Sequence, residues 1–255
     1  MNKPVIHRVT HEIKRRCLEV LRVVDITPRM RRITLGGEQL AGFVSLGSDD
    51  HIKLLFPQNA AELAALQSPT FAIKGEGPQP AMRDYTPRRF DLAIGELDID
   101  FVLHGDGPAS TWAEQAAVGQ HLYIGGPRGS MIVTDIFDSY LLVGDETAIP
   151  AIARRLEELP AGRTVLAVIE IADVHEKQAL GSAADVEVIW VVRGVDDLLS
   201  TVENLQLPGG SLYAWVATET RLSRQVRRVL LDKHRLDDEL VKAVGYWRAE
   251  GSSEE

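Results

Sequence analysis

Two patterns of hydrophobic and polar residues divide the chain. Over residues 17–134, apolar and polar side chains alternate in short stretches separated by glycine, proline and aspartate, most clearly over residues 97–104. Such alternation is typical of antiparallel strands with one buried face, so we expect a barrel or a sandwich in this half. Residues 59–82 break the alternation with alanine, glycine and proline, and we interpret them as a surface loop.

After Tyr140, short continuous apolar segments alternate with amphipathic ones. This order is typical of a parallel sheet covered by helices on both faces. We place the domain boundary so that the two domains comprise residues 1–136 and 137–255. The predicted strands cover residues 140–143, 164–171, 186–192 and 212–218, and the predicted helices cover residues 150–159, 196–205 and 222–234.

Composition excludes several functional classes. The 255 residues contain a single cysteine, Cys17, which cannot form an internal disulfide, an iron–sulfur cluster or a thiolate zinc site. We predict no metal site, so any redox chemistry must come from an organic cofactor. The net charge of −9 disfavours nucleic acid as a partner. No apolar run approaches the length of a membrane span and no secretory signal is evident, so we expect a cytoplasmic protein that does not associate with membranes.

The densest polar cluster, RDYTPRR, occupies residues 83–89, where the pattern predicts a strand. On a strand, Arg83, Tyr85 and Pro87 would share one face. A guanidinium beside an aromatic ring and a hydroxyl suits a ligand that carries both a diphosphate and a flat ring system. The alternative is an edge strand whose charges prevent aggregation.

A second cluster, HGDGPASTW, occupies residues 104–112 and leads into a predicted helix over residues 109–117. Small residues leave backbone N–H groups open, and the helix dipole favours an anion there, so Ser110 could serve a phosphate ligand. The alternative is simple capping, in which Thr111 and Glu114 form a capping box, and the two readings are compatible. We interpret His104 as a packed or hydrogen-bonded histidine rather than a general acid.

The segment LLVGDETAIP, residues 141–150, joins a strand to a helix through a glycine turn. Parallel sheets bind dinucleotides at the carboxyl ends of their strands, although Asp145 and Glu146 would repel a pyrophosphate here. Arg221 and its neighbours Arg224, Arg227 and Arg228 could pair with a ribose phosphate, which NADPH carries and NADH does not, unless these residues are a solvated helix face. The turn GGPRGS, residues 125–130, either presents Arg128 at a pocket rim or is a plain tight turn.

Five segments in this order resemble the siderophore-interacting protein family, the ferric-siderophore reductases of the ferredoxin-reductase superfamily: RDYTPRRF, HGDGPASTWA, GGPRGS, LLVGDETAIPAI and GYWRAEG. The resemblance covers residues 18–251. It implies an N-terminal antiparallel six-stranded β-barrel, the flavin domain, followed by an α/β parallel-sheet domain that binds nicotinamide. The chain departs from the superfamily by placing acids in the nicotinamide turn and by lacking the usual cysteine–glycine pair.

The resemblance also implies residue roles. Arg83 would contact the FAD phosphates, Tyr85 would pack on the isoalloxazine ring, and Thr86 would bond near its reactive nitrogen. The remaining FAD-binding residues would be His104, Gly107, Ala109, Ser110 and Thr111. The nicotinamide of NADPH or NADH would meet Gly144, Asp145, Glu146, Thr147, Thr218, Glu219 and Arg221. Basic residues that attract an anionic iron chelate would be Lys53, Arg128 and Lys242.

The implied activity is that of an NAD(P)H-dependent ferric-siderophore reductase. Hydride would pass to FAD, which would then reduce ferric iron one electron at a time, so no acid or base residue is required and we predict no catalytic side chain. A ferric siderophore is the expected partner and a monomer the expected state. Alternatives are an electron transferase acting on a protein or quinone, and a non-enzymatic chelate binder, which the RDYTPR strand disfavours. Trp247 would cover the flavin or pack on the sheet; we favour packing, with Tyr246 as the other candidate.

Overall fold

The computed structural model describes residues 6–73 and 75–249. These residues form two compact units, one of residues 7–132 and one of Ile6 with residues 133–249. The sequence-based boundary after residue 136 remains a prediction about the two cofactor domains. None of the helices formed by the described residues has the length and apolar character needed to span a bilayer.

Most strands of the first unit belong to one antiparallel sheet. Its strands are β1 (Ile6–Thr10), β2 (Arg15–Thr27), β3 (Met30–Gly36), β4 (Ile52–Phe56), β5 (Ala81–Tyr85), β6 (Arg89–Asp91), β7 (Glu96–Val102), β8 (His121–Gly125) and β9 (Gly129–Val133). Within the described chain, seven of them form a sheet in the order β5-β4-β8-β2-β3-β7-β6, while β1 pairs with β9. The main sheet therefore has seven strands rather than the predicted six.

The connection between β5 and β6 shows that this sheet curls into a barrel. The two strands lie at opposite edges of the sheet, yet only residues 86–88 join them. A flat sheet of this size would be about 29 Å wide. The connection from Tyr85 to Arg89 can span at most about 14 Å. The edges must therefore approach each other, which confirms the predicted barrel.

Strand β7 shows how alternation builds the barrel wall. Its apolar side chains are fully buried in the core, namely Leu97, Ile99 and Phe101. On the opposite face, Asp98 and Asp100 are also buried, which the alternation did not predict. Arg32 Nε donates to Asp100 Oδ1 at 2.7 Å and Thr34 Oγ1 donates to Asp98 Oδ1 at 2.7 Å. Buried carboxylates require such partners, so arginines and hydroxyls cover this face.

The predicted loop over residues 59–82 contains a helix, α1 (Ala60–Gln67). Asn59 Oδ1 accepts from Glu62 N at 3.0 Å, and Glu62 Oε2 accepts from Gln58 N at 2.7 Å. This reciprocal arrangement is a capping-box variant, and the spacing of Asn59 and Glu62 carried its signal. The loop interpretation was therefore wrong for this part of the segment.

The second unit is a parallel sheet flanked by helices. Its elements are β10 (Ser139–Gly144), α3 (Ile149–Glu158), β11 (Thr164–Ile171), β12 (Asp185–Val192), α4 (Leu198–Glu203), β13 (Leu212–Glu219), α5 (Thr220–Asp232) and β14 (Val241–Trp247). The order β12-β11-β10-β13-β14 contains the four predicted strands and adds β14. The chain first adds strands on one side of β10 and then on the other, so the carboxyl ends of β10 and β13 flank the topological switch point.

Candidate functional site

The strand register sorts the residues of the RDYT segment onto two faces. Arg83 lies opposite Leu54, and Tyr85 lies opposite Ile52, on the neighbouring strand β4. Directly opposed residues share a face, and Leu54 and Ile52 belong to the barrel core. Arg83 and Tyr85 therefore share the core-facing side of β5, as the sequence predicted. The strand ends at Tyr85, so the buried Thr86 lies in the connection to β6 rather than on the strand.

The arginines of this segment differ in their partners. Arg88 Nε lies 4.0 Å from Asp100 Oδ2, and Arg89 Nη1 lies 3.4 Å from Glu96 Oε2. The exposed Arg83 donates from Nη1 to the carbonyl oxygen of the preceding residue at 2.8 Å. Within residues 6–73 and 75–249 no carboxylate forms an ion pair with Arg83. It is therefore the guanidinium of this segment that is available to an anionic ligand.

The turn that leads into α2 (Gly107–Gln115) is open to a ligand. Gly105 and Gly107 have φ of +79° and +81°, a left-handed conformation that favours glycine. A Cβ on Gly105 would meet nothing within 4 Å. The N-cap residue, Asp106, makes no side-chain capping bond, so the first N–H groups of the helix lack a carboxylate cap. Open N–H groups at a helix start favour an anion.

The predicted capping box is not formed. Thr111 lies inside α2 with an exposed side chain, because the helix begins at Gly107 and not at the predicted Ala109. The hydroxyl of Ser110 instead accepts from His104 N at 3.0 Å and Gly105 N at 3.2 Å. It donates to Glu114 Oε1 at 3.2 Å.

These three bonds use the full capacity of a hydroxyl, and Ser110 is only 1% exposed. The hydroxyl of Ser110 therefore stabilises the turn, in contrast to our expectation that it serves a ligand. The backbone of Ser110 remains in the first turn of α2 with Gly107 and Ala109. The side chain of His104 is exposed, and its Cε1 lies 4.0 Å from where a Cβ on Gly107 would be.

Aromatic packing brings the RDYT strand and α2 together. The ring centroids of Tyr85 and Phe101 are 4.6 Å apart, and those of Phe101 and Trp112 are 5.7 Å apart. Arg31 Nη1 donates to the carbonyl oxygens of Ala113 at 3.1 Å and of the following residue at 3.0 Å, which holds the carboxyl end of α2 against the barrel. Burial raises the pKa of Tyr85, so its phenol stays protonated at neutral pH. The predicted FAD residues of both segments thus share one packed scaffold.

Two of the predicted chelate-binding residues lie in the first unit. Lys53 pairs with Gly125 in the register of β4 and β8, and the exposed Arg128 follows in the turn after β8. Lys53 Nζ also donates to Asp84 Oδ1 at 2.8 Å, a partner that the sequence analysis missed. Lys242 lies in the second unit, opposite Trp215 in the register of β13 and β14. The convergence of Lys53, Arg128 and Lys242 remains a prediction.

The turn that carries Arg128 is held by an N-terminal residue that the sequence analysis also missed. His11 N donates to the carbonyl oxygen of Arg128 at 2.9 Å, and His11 Nε2 lies 2.8 Å from Ser130 Oγ. Ser130 Oγ donates to the buried Asp50 Oδ2 at 2.5 Å and accepts from the backbone N of Leu46 at 3.0 Å. The hydroxyl proton is therefore used, so His11 Nε2 must be the donor to Ser130.

The predicted nicotinamide residues lie at the switch point of the second unit. Gly144 pairs with Ala217 in the register of β10 and β13, so the turns that follow these strands are neighbours. A Cβ on Gly144 would lie 2.6 Å from Ala148 Cβ, so glycine lets the turn pack closely against the start of α3. The structure thus brings together all of the predicted set: Gly144, Asp145, Glu146, Thr147, Thr218, Glu219 and Arg221.

Asp145 is a buried carboxylate in this turn, with 2% exposure. Its Oδ1 accepts from Thr147 N at 2.9 Å and Thr147 Oγ1 at 2.5 Å, and its Oδ2 accepts from Trp247 Nε1 at 2.8 Å. Burial raises the pKa of Asp145, and the bonds from Thr147 and Trp247 oppose this rise. Asp145 is therefore a structural acceptor within the turn.

A β-bulge places Trp247 at this position. Thr218 pairs with Gly245 and Glu219 pairs with Trp247, so Tyr246 is an extra residue in β14. A bulge redirects the side chains beyond it. Trp247 donates its indole N–H to Asp145 in the same unit, while 44% of the residue stays exposed. Whether Trp247 covers the flavin or packs on the sheet stays a prediction.

The other acids of the switch point are also engaged. Glu219 Oε2 accepts from Arg221 N at 2.6 Å and Leu222 N at 3.1 Å, which caps α5. Glu146 Oε2 accepts from Arg193 Nη2 at 2.8 Å. Arg193 was not predicted, because its distance in sequence from Glu146 gives no local signal. These carboxylates already use nearby hydrogen-bond donors, so few donors remain for a pyrophosphate at the turn. The side chain of Arg221, in contrast, is exposed.

An antiparallel barrel followed by a parallel sheet of this order is the architecture of the ferredoxin-reductase fold. The family model of the siderophore-interacting FAD-binding domain matches residues 19–131, and the model of the siderophore-interacting protein matches residues 137–250. The chain belongs to the siderophore-interacting protein family, and its first unit carries the FAD-binding domain.

Similar proteins of full length are found by sequence and by structure. The NADPH-dependent ferric-chelate reductase of Escherichia coli is 36% identical, over 95% of this chain and 96% of the relative. The ferric vibriobactin reductase of Vibrio cholerae is 32% identical, over 97% and 95%. The crystal structure of a siderophore utilization protein from T. fusca superposes with a TM-score of 0.86 at 36% identity, covering 97% of both chains.

Proposed function

We propose that this protein is an FAD-dependent oxidoreductase that uses NADPH to reduce ferric siderophores or related ferric chelates in the cytoplasm. The single observation that carries the proposal is that Arg83, which has no carboxylate partner among the described residues, shares one scaffold with the open start of α2. The full-length similarity to reductases of ferric chelates supports the same activity.

The residues of the first unit fit FAD in three respects. Arg83 has no carboxylate partner among the described residues and can pair with a diphosphate. Gly105 and Gly107 leave the space in front of α2 open, where backbone N–H groups favour a phosphate. Tyr85 adds a protonated, half-buried ring on the same strand as Arg83. Thr86, His104, Ala109, Ser110 and Thr111 complete the proposed FAD set.

FAD, when bound, supplies the conversion between a two-electron hydride donor and one-electron acceptors. In balance, one NADPH gives NADP⁺, one proton and two electrons, and these reduce two ferric ions to two ferrous ions. The chain's own residues bind and orient the cofactor and the substrates. None of them needs to act as an acid or a base when the iron is reduced. The ferrous product binds hard oxygen ligands more weakly, so reduction releases the metal from its chelator.

The second unit is proposed to receive the nicotinamide at the switch point. Asp145, Glu146 and Glu219 disfavour a pyrophosphate there, so neutral parts of the coenzyme would meet the turns of Gly144, Asp145, Glu146, Thr147, Thr218 and Glu219. The exposed Arg221 at the start of α5 is then the proposed partner of the ribose phosphate that NADPH carries and NADH lacks, which favours NADPH over NADH.

On the substrate side, the cations Lys53, Arg128 and Lys242 are proposed to attract the anionic chelate. Their contribution is electrostatic and would weaken with added salt, since the Debye length at 0.1 M is about 10 Å. We keep a monomer as the expected oligomeric state.

The test of the proposal is an Arg83→Ala variant. Loss of a charged hydrogen bond to a phosphate costs about 1.5–3 kcal/mol, so we expect FAD to bind roughly tenfold to a hundredfold more weakly. The visible spectrum of the purified protein and titration of the apoprotein with FAD measure this change. Arg22→Ala is the matched control, because Arg22 is an exposed barrel arginine that pairs with Glu96 at 3.2 Å and contacts none of the proposed site.

Stopped-flow reduction with NADPH or NADH, followed by reoxidation with ferric chelates, tests the reaction itself. Slow reoxidation by ferric chelates with fast transfer to a protein or quinone would favour the electron-transferase alternative. A wild-type protein that is colourless and takes up no added FAD, or an Arg83→Ala protein with unchanged FAD affinity, would contradict the proposal.

A further inference from the structure

Lys53 and Arg128 differ in whether a carboxylate offsets them. Lys53 Nζ contacts Asp84 Oδ1 at 2.8 Å, and the two side chains are 36% and 48% exposed. The two residues are directly opposed in the register of β4 and β5, so the contact is built into the strand pairing. Arg128 is exposed, and the described part of the chain places no carboxylate in ion-pair contact with it.

We propose that Asp84 is a specificity-determining residue that offsets the charge of Lys53 and thereby lowers the affinity for polyanionic chelates relative to uncharged ones. This inference rests on the proposed function, in which Lys53 attracts the chelate. A cation and an anion in contact act on a third charge as a dipole, whose field falls off faster with distance than that of a single charge. A chelate at a distance comparable to the Debye length therefore meets little net charge at this pair.

The position of Asp84 separates this effect from binding of FAD. Arg83 and Tyr85 lie on the core-facing side of β5, and Asp84 lies on the other side with Lys53. Asparagine has nearly the same shape as aspartate, so Asp84→Asn removes the negative charge and leaves the strand and the proposed FAD residues in place. The pair is exposed, so its contribution to the stability of the fold is small.

The experiment compares FAD-loaded wild type with Asp84→Asn and Asp84→Glu on two ferric chelates, a trianionic tris-catecholate and an uncharged tris-hydroxamate. For Asp84→Asn we expect the KM of the trianionic chelate to fall about twofold to fivefold, the scale of one exposed ion pair. The KM of the uncharged chelate should not change, and Asp84→Glu should resemble wild type. High salt should reduce the difference between the variants.

A second readout does not depend on turnover. The corresponding gallium(III) chelates are not reduced, so their binding can be followed by quenching of tryptophan fluorescence. The trianionic gallium chelate should bind Asp84→Asn more tightly by the same factor, whereas the uncharged one should bind both proteins equally.

Glu203→Gln is the matched control, because Glu203 pairs with Lys233 at 3.8 Å on the second unit and its loss changes the net charge by the same amount. This control should leave both KM values unchanged. An equal fall of KM in the control, or an unchanged or higher KM of Asp84→Asn for the trianionic chelate, would overturn the inference. If wild type itself reduces neither ferric chelate, the proposed function fails instead.

Discussion

The two units treat the hydrogen-bond donors at their candidate sites in opposite ways. In the first unit, the N-cap residue of α2, Asp106, makes no side-chain capping bond, and Arg83 has no carboxylate partner among the described residues. In the second unit, Asp145 and Glu219 accept hydrogen bonds from backbone N–H groups of the segments that follow β10 and β13. One site has open donors, and the other has donors that the chain itself satisfies.

This difference suits the two cofactors that we propose. A site with open donors gains free energy when an anion binds, which favours a cofactor that stays bound. A site whose donors already have partners offers a phosphate little gain, which suits a coenzyme that binds and leaves in each turnover. We therefore expect substitutions in the second unit to change the free energy of unfolding of that unit. Their effect on the FAD content of the first unit should be smaller.

The largest effect is expected for Gly144→Ala. The added methyl group would lie 2.6 Å from Ala148 Cβ and 3.0 Å from Ile152 Cδ1. Overpacking of this kind costs about 2–3 kcal/mol, measured as the free energy of unfolding in denaturant. The control Gly181→Ala adds a methyl group where nothing lies within 4 Å and should change stability by less than about 0.5 kcal/mol. Equal stabilities of the two variants would show that close packing does not hold this turn.

A smaller effect is expected for Trp247→Phe, which keeps a ring but removes the donor to Asp145 Oδ2. The buried carboxylate loses one partner, so we expect a loss of about 1–2 kcal/mol at neutral pH, measured by circular dichroism during denaturant unfolding. Trp190→Phe on β12 is the control for loss of an indole ring as such.

The pH dependence of the Trp247→Phe effect has a definite sign. Burial raises the pKa of Asp145 in the folded state, so protonation stabilises the fold as the pH falls through that pKa. The indole bond favours the ionised form, and its loss raises the pKa further. The stability difference between wild type and Trp247→Phe should therefore be largest at neutral pH and shrink in acid. A difference that grows in acid would contradict the assignment of Asp145 as the acceptor.

The smallest effect concerns an exception within the first unit, the turn of Arg128, in which the carbonyl of Arg128 and the hydroxyl of Ser130 already have partners in the chain. His11→Ala removes the ring that donates to Ser130 Oγ, so the turn that presents Arg128 should loosen. We expect about a fivefold higher KM for anionic ferric chelates, the equivalent of one hydrogen bond, with unchanged FAD content. His11→Gln, which keeps a side-chain donor, should recover part of the loss.

His7→Ala is the control for His11→Ala, because His7 is exposed on the same N-terminal segment. A KM that stays at the wild-type value in His11→Ala would show that the turn does not depend on this bond for its function.

Sequence reasoning was most successful where the signal is local. Alternation identified the buried face of β7, and continuous apolar segments identified β10, β11, β12 and β13. It was wrong about the loop that contains α1, where the capping signal of Asn59 and Glu62 was present but periodicity was weak. It also misplaced the start of α2, because Asp106 and not a residue of the predicted capping box is the N-cap.

The amino-acid sequence by itself determined the two kinds of sheet, the segments that carry the cofactor residues and the family. These depend on side-chain periodicity and on motifs of a few consecutive residues. Only the tertiary structure decided which groups have partners: Lys53 pairs with Asp84, Glu146 pairs with Arg193, and Asp145 accepts a hydrogen bond from Trp247. The physical reason is distance along the chain, because strand register, a β-bulge and barrel closure bring together residues whose spacing in sequence carries no signal.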